Sequence, residues 1–218
     1  MKKGKIELCT EPKKLDSIIK LHRRCKQTMK IGIDLDGVVI DSETTFRTYE
    51  EIYDIDILKG NNLIDRKEPK FQTRYNWTSE QEKEFIKKYF LKVSKESNLM
   101  SGFIGVYNLL KEQGHEFVVI TARGGFVKEM KDDAIRLLNE NDIKFDKYYW
   151  HIEDKLEICK SEKVDIMIDD DWRIIKKLAD NGVKTLYFRD TNLMKLEEND
   201  YIKEVNNWGD VYRYINKR

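Results

Sequence analysis

The sequence predicts an α/β fold: a parallel sheet with helices on both faces, and a small helical cap inserted after the first strand. Three observations lead there. Short apolar runs ending in Asp, Thr or Gly recur near residues 31–35, 117–120 and 164–168, with a further apolar run at 184–188. Segments of helical periodicity separate most of them, and strands alternating with helices imply parallel pairing through right-handed crossovers. The interval 42–98 is the exception, because it holds helical patterns and no convincing core strand.

Each element has a local reason. Ile31, Ile33 and Leu35 alternate with Asp34 and Asp36 until Gly37 breaks the run. Period-two alternation stopping at glycine reads as a buried strand that delivers side chains to a turn at its carboxyl end. Residues 42–53 read as a helix, with Ser42 as candidate N-cap. An irregular stretch containing Gly60, Asn61, Asn62 and Pro69 follows. Thr78 with Gln81 is a capping-box pattern opening a helix to about residue 95. Residues 103–112 are an amphipathic helix stopped by Gly114. Strand 117–120, helix 128–141, a short aromatic strand at 148–152 and a helix over 156–160 come next. Strand 164–168 leads into a helix that runs to about residue 180, and Gly182 ends it before strand 184–188.

The chain therefore divides into an arm, 1–29, a core made of 30–41 and 99–218, and the cap, 42–98. In the arm, Leu15, Ile18, Ile19 and His22 have helical spacing. Met29, directly before the first strand, resembles a natural start, so the arm is a family-specific addition or follows from an alternative start.

Composition narrows the function. The chain has 218 residues, 41 Lys and Arg against 40 Asp and Glu, and a net charge of +1. Such balance gives no general argument for a nucleic acid polymer or an anionic membrane as partner. Cys9, Cys25 and Cys159 are odd in number and widely spaced, the pattern of free thiols in a reducing compartment. No apolar run is long enough to span a bilayer. A cytoplasmic protein is expected, with the oligomeric state open.

The chemistry gathers at strand ends. Asp34 and Asp36 close the first strand, Thr121 the second, and Asp169 and Asp170 follow strand 164–168, while Lys155 stands at the start of a helix. In a parallel sheet all carboxyl ends lie on one edge, where ligands bind, so these residues can converge. Carboxylates with one hydroxyl and one lysine suit a hard cation such as Mg²⁺ beside a phosphate. Taken singly, each has a plainer reading: Thr121 as a cap, Lys155 as a solvated side chain, Asp169, Asp170 and Asp171 as the cap of the next helix.

Jointly they resemble the haloacid dehalogenase-like hydrolase superfamily, whose four motifs are matched in order: Asp34-Leu35-Asp36-Gly37, Thr121, Lys155 and Asp169-Asp170. The resemblance implies a Rossmann-like core and a Mg²⁺-dependent phosphomonoester hydrolase working through an aspartyl-phosphate. It assigns catalysis to Asp34, Asp36, Thr121 and Lys155, with Lys160 and Lys163 as alternatives for the lysine. It gives the metal to Asp34, Asp36 (through its backbone carbonyl), Asp170 and Asp169, leaving Asp171 to cap the helix. Asp36 indicates phosphate chemistry, because dehalogenation needs no acid there. Within the superfamily, residues 118–123 and 165–173 resemble the type-C 5′-nucleotidases and their bacterial relatives, although Gly124 and Gly125 stand where proline is expected. That branch implies a nucleoside monophosphate substrate, with Ala122 and Arg123 beside the phosphate and Tyr75 and Trp77 stacking a base. Arg123 could instead pair with a neighbouring acid, and Tyr75 and Trp77 could form the cap's own core. Trp150 and Trp172 are read as packing residues. A sugar or other small-metabolite phosphatase is the alternative activity, and a silent phosphate-binding scaffold the alternative of another class.

Overall fold

Apolar strands covered on both faces have to pair inside the protein, and they do so in one sheet. The computed structural model describes residues 28–68, 70–125, 127–190 and 194–217. The helical pattern expected before residue 28, with Cys9 and Cys25, lies outside them. Six parallel strands, β1 (Lys30–Ile33), β2 (Glu116–Ile120), β3 (Lys147–Tyr149), β4 (Ile166–Asp169), β5 (Thr185–Phe188) and β6 (Ile202–Val205), run in the order β3-β2-β1-β4-β5-β6. The fold class is that expected from the sequence. β6 and the helix Trp208–Asn216 complete it beyond the elements read there.

The two faces of the sheet separate by alternation. Ile31, Ile33, Phe117, Val119, Ile166 and Ile168 face one core with helices Phe103–Glu112, Glu129–Glu140 and Trp208–Asn216. Val118, Ile120 and Met167 face the other, with Cys159 and Leu178 from helices Leu156–Ser161 and Trp172–Asp180. Cys159 is a free, buried thiol. Trp208, fully buried, donates its indole N–H to the Val38 carbonyl at 2.9 Å and supports the turn after β1 from beneath.

Register decides what meets at the carboxyl edge. Ile33 pairs with Val119 on one side and Ile168 on the other. The Asp34 amide continues the ladder to the Ile168 carbonyl at 3.0 Å. The residues that follow this row are thus Asp34, just past β1, and Asp169, the last of β4, neighbours by pairing alone.

Segment 42–98 leaves and rejoins the core through adjacent strands of chain. The Asp41 amide donates to the Asn98 carbonyl at 2.9 Å and the Met100 amide to Val39 at 2.8 Å. Its helices are Ser42–Ile52, continued by a wider turn at Tyr53–Ile57, then Phe71–Arg74 and Ser79–Glu96. Thr78 and Gln81 form the expected reciprocal capping box. The first helix differs in its cap: Asp41, not Ser42, accepts from the Thr44 amide, and Ser42 is buried as the first helical residue. The short helix at Phe71–Arg74 lies where an irregular stretch was expected. The segment has an apolar cluster of its own, Tyr49, Tyr53, Tyr75, Trp77, Phe85, Tyr89 and Val93. Beside it the buried Arg74 guanidinium donates to Glu50 and, at 2.8 Å, to Glu43. Among the described residues, no helix is long and apolar enough to cross a membrane.

Candidate active site

Lys155 stands directly before helix Leu156–Ser161, and its side chain runs inward to the strand ends. Its Nζ lies 2.8 Å from Asp34 Oδ1 and 2.6 Å from Asp169 Oδ2. Lys160 and Lys163 are exposed, so the position at the acids falls to Lys155. Asp169 Oδ1 accepts from the Asp171 amide at 2.9 Å, which fixes that carboxylate at its other end. The Asp171 side chain turns away to cap helix Trp172–Asp180 by accepting from the Arg173 amide.

Burial pushes the Asp34 carboxyl up to about 6; Lys155 pulls against this, while Asp169 and Asp36 push further up. Asp170 is raised well above the usual carboxylate range, first by burial and then by Asp169 and Asp34. Burial alone would depress Lys155, but Asp169 and Asp34 reverse this and hold its ammonium strongly charged. One lysine is thus set against a group of crowded acids. One oxygen from each of Asp34, Asp169 and Asp170 lies within 4.8 Å of the others. Asp34 Oδ1 has the Lys155 charge beside it but no well-directed hydrogen bond. A donor set of hard carboxylate oxygens at this spacing fits a divalent cation such as Mg²⁺. Gly37 keeps the group together: its φ is +71°, and a Cβ there would stand 2.1 Å from Asp170 Oδ2.

The second wall comes from the turn after β2. Thr121 is buried, and its Oγ1 accepts from the Arg123 amide at 3.2 Å. Arg123 is buried too, and each nitrogen of its guanidinium has a partner. Nε donates to the Met130 carbonyl at 2.8 Å, Nη2 to Ser94 Oγ at 2.8 Å, and Nη1 to Asp36 Oδ1. Of the two readings of Arg123, the pairing with a neighbouring acid is the arrangement present here, and that acid is Asp36. Asp36 therefore stands apart from the three crowded acids. It borders a cavity of about 350 Å³ together with Ala122, Arg123 and Gly124 from the core and Phe46, Phe71 and Phe90 from the helical segment.

No protein-family model matches the sequence, and no curated protein does. Solved structures do match across most of the chain. A haloacid dehalogenase-like family hydrolase from Streptococcus pneumoniae superposes with a TM-score of 0.61 at 17% identity, covering 86% of this chain and 98% of that one. A predicted phosphoglycolate phosphatase from Haemophilus somnus gives 0.59 at 14% identity, with 87% and 99% covered. YfnB of Bacillus subtilis, described as a HAD-hydrolase and determined bound to magnesium, gives 0.56 at 13%, with 88% and 100% covered. The fold is the haloacid dehalogenase-like one. At such identities the likeness speaks for architecture, and activity has to be argued from the site.

Within that haloacid dehalogenase-like frame, the structure brings Asp34, Lys155, Asp169 and Asp170 together, with Asp36, Thr121, Ala122 and Arg123 beside them. It does not bring Tyr75 and Trp77 to the cavity. The base-stacking assignment for them is corrected: their rings stack on each other at 4.5 Å inside the apolar cluster of segment 42–98, and the Trp77 indole donates to Asp54 at 2.8 Å. Both are buried, so neither face is open to a ligand. Phe46, Phe71 and Phe90 take the aromatic places in the cavity wall instead. Trp150 stacks on Tyr148 and Trp172 packs beside Ile175, as packing residues do. Ser94 and the acids Glu43 and Glu50, which also line or adjoin the cavity, were not read from the sequence. A single serine or glutamate on an amphipathic helix carries no pattern that separates it from its surface neighbours.

Proposed function

We propose that the chain is a Mg²⁺-dependent phosphomonoester hydrolase that works through an aspartyl-phosphate on Asp34. The observation that carries this is the Asp34 carboxylate, held by Lys155 beside Asp169 and Asp170 at the carboxyl edge of the sheet. Asp34, Asp169 and Asp170 would hold the ion, with the Asp36 backbone carbonyl, and its charge would offset the repulsion between these acids and a phosphate. Two like charges 4 Å apart repel by about 4 kcal/mol at an effective dielectric near 20, roughly three decades of rate. Lys155 supplies the second cation against that repulsion.

Asp34 attacks phosphorus, the ester oxygen leaves with a proton from Asp36, and the phosphoryl group rests on Asp34. Water then attacks phosphorus, its proton passes to Asp36, and the Asp34–phosphorus bond breaks. Thr121 hydrogen-bonds a phosphoryl oxygen. Segment 42–98 acts as a cap that excludes water and reads the leaving group.

The leaving group we favour is a nucleoside. Phe46, Phe71 and Phe90 beside Asp36 offer ring surface for a base, and stacking contributes about 1–3 kcal/mol per base. The same cavity carries Glu43 and Gln72, hydrogen-bonding groups that favour a sugar or other metabolite phosphate as the second reading. Phosphate release from a panel of nucleoside and sugar monophosphates, with and without Mg²⁺, tests both. Release should need Mg²⁺ and disappear in Asp34→Asn with the fold intact. Activity near wild type in that variant would remove Asp34 as the nucleophile.

A further inference from the structure

Ser94 is the one side chain of helix Ser79–Glu96 that reaches the Arg123 guanidinium by a hydrogen bond among the described residues. It is buried at 3% exposure, and the contact joins segment 42–98 to the core in the wall beside Asp36. Arg123 is held from three sides. The Met130 carbonyl fixes Nε from the core, Ser94 fixes Nη2 from the helical segment, and the remaining corner, Nη1, donates to Asp36 Oδ1. A guanidinium is planar and rigid, so fixing two corners sets the direction of the third. Asp36 has 34% of its side chain exposed, and Arg123 is the hydrogen-bond partner that orients it.

We propose that Ser94 is a positioning residue which, through Arg123, aims the Asp36 carboxylate for the hydrolytic half of the reaction. This rests on the aspartyl-phosphate reading above. Arg123 donates to Asp36, so Asp36 stands as an acceptor, the role that hydrolysis asks of it. In that step a water oxygen bonds to phosphorus and the water proton goes to Asp36. The electron pair of the Asp34–phosphorus bond returns to the Asp34 carboxylate, and inorganic phosphate leaves. With helix Ser79–Glu96 away from the core, Ser94 leaves Arg123, and Asp36 loses its fixed aim. Breakdown of the phosphoenzyme is thereby tied to the helical segment being seated.

The test uses p-nitrophenyl phosphate, whose phenolate departs without needing a proton, so formation of the phosphoenzyme is insensitive to Asp36. Rapid-quench measurement with Mg²⁺ gives formation and decay of the phosphoenzyme separately. In Ser94→Ala, decay should slow about tenfold, the effect of about 1.4 kcal/mol in the barrier, while formation stays within about twofold. Ser94→Thr, which keeps the hydroxyl, should restore decay. Should Ser94→Ala fail to fold, Ser94→Cys, a weak hydrogen-bonding group of similar volume, takes its place. Equal slowing of both steps, or of neither, would overturn the proposal while leaving the aspartyl-phosphate reading standing. A wild-type chain that forms no phosphoenzyme and releases no phosphate would overturn that reading, and the role of Ser94 with it.

Discussion

Gly37→Ala separates the architecture of the site from the stability of the fold. Gly37 has φ +71°, a region that costs an L side chain about 1–2 kcal/mol. Its added Cβ would lie 2.1 Å from Asp170 Oδ2, where ordinary contact begins near 3.4 Å, so that oxygen must move by about 1.3 Å. The Asp170 side chain can swing aside, but only by leaving Asp34 and Asp169. A displacement of about 1 Å at a reacting centre costs roughly a hundredfold. Gly182 supplies the control: its φ is +79°, and a Cβ there meets nothing within 4 Å. Gly182→Ala should lose about 2–8 °C in Tm, as Gly37→Ala does from the same backbone strain. Only Gly37→Ala should also lose roughly a hundredfold in p-nitrophenyl phosphate hydrolysis and require more Mg²⁺ for half-maximal rate. Equal activity and equal Mg²⁺ dependence in the two variants would refute the reasoning that Asp170 is held in place against Gly37.

Trp77→Ala removes a buried ring and the donor to Asp54, so urea denaturation should show a loss of about 3–5 kcal/mol, with the KM of the folded enzyme for nucleotides unchanged. Phe71→Ala, in the cavity wall, should raise that KM instead. Glu162 accepts from Lys147 at 2.8 Å and from Tyr149, and Lys147 and Tyr149 hold its carboxyl down at about 2. Folding therefore favours the ionised form, and the stabilisation is complete above the ordinary value of 4.5 and fades as pH falls towards 2. Urea midpoints of wild type and Glu162→Gln should differ at pH 7 and converge near pH 2; a constant gap would contradict the assignment.

How far the sequence carried depended on whether a residue's role was local. Strands β1, β2, β4 and β5 were legible because burial on both faces demands apolar runs, and because each of the first three ends in a residue with chemistry. β6 was not, since only Ile202 and Val205 of its four residues are buried and Lys203 with Glu204 break the pattern. Lys155 was legible by its place before a helix, but only the 2.8 and 2.6 Å contacts separate it from Lys160 and Lys163. Tyr75 and Trp77 stayed open between base stacking and the core of segment 42–98, because an aromatic residue looks the same in a sequence whether its face is buried or offered. The network of Arg74 with Glu43 and Glu50 joins residues more than twenty positions apart, and no local pattern announces it. Asp41 and Ser42 are both good caps, and the choice between them depends on where the chain turns after β1.

The most direct measurement is to mix Asp36→Asn with p-nitrophenyl phosphate and Mg²⁺, so that formation of the phosphoenzyme needs no acid, quench in acid, and locate phosphorus by peptide mass spectrometry. One phosphoryl group is expected, carried by the peptide containing Asp34 and stable because water lacks its base. Phosphoryl on any other residue, or none while wild type releases phosphate under the same conditions, would contradict it.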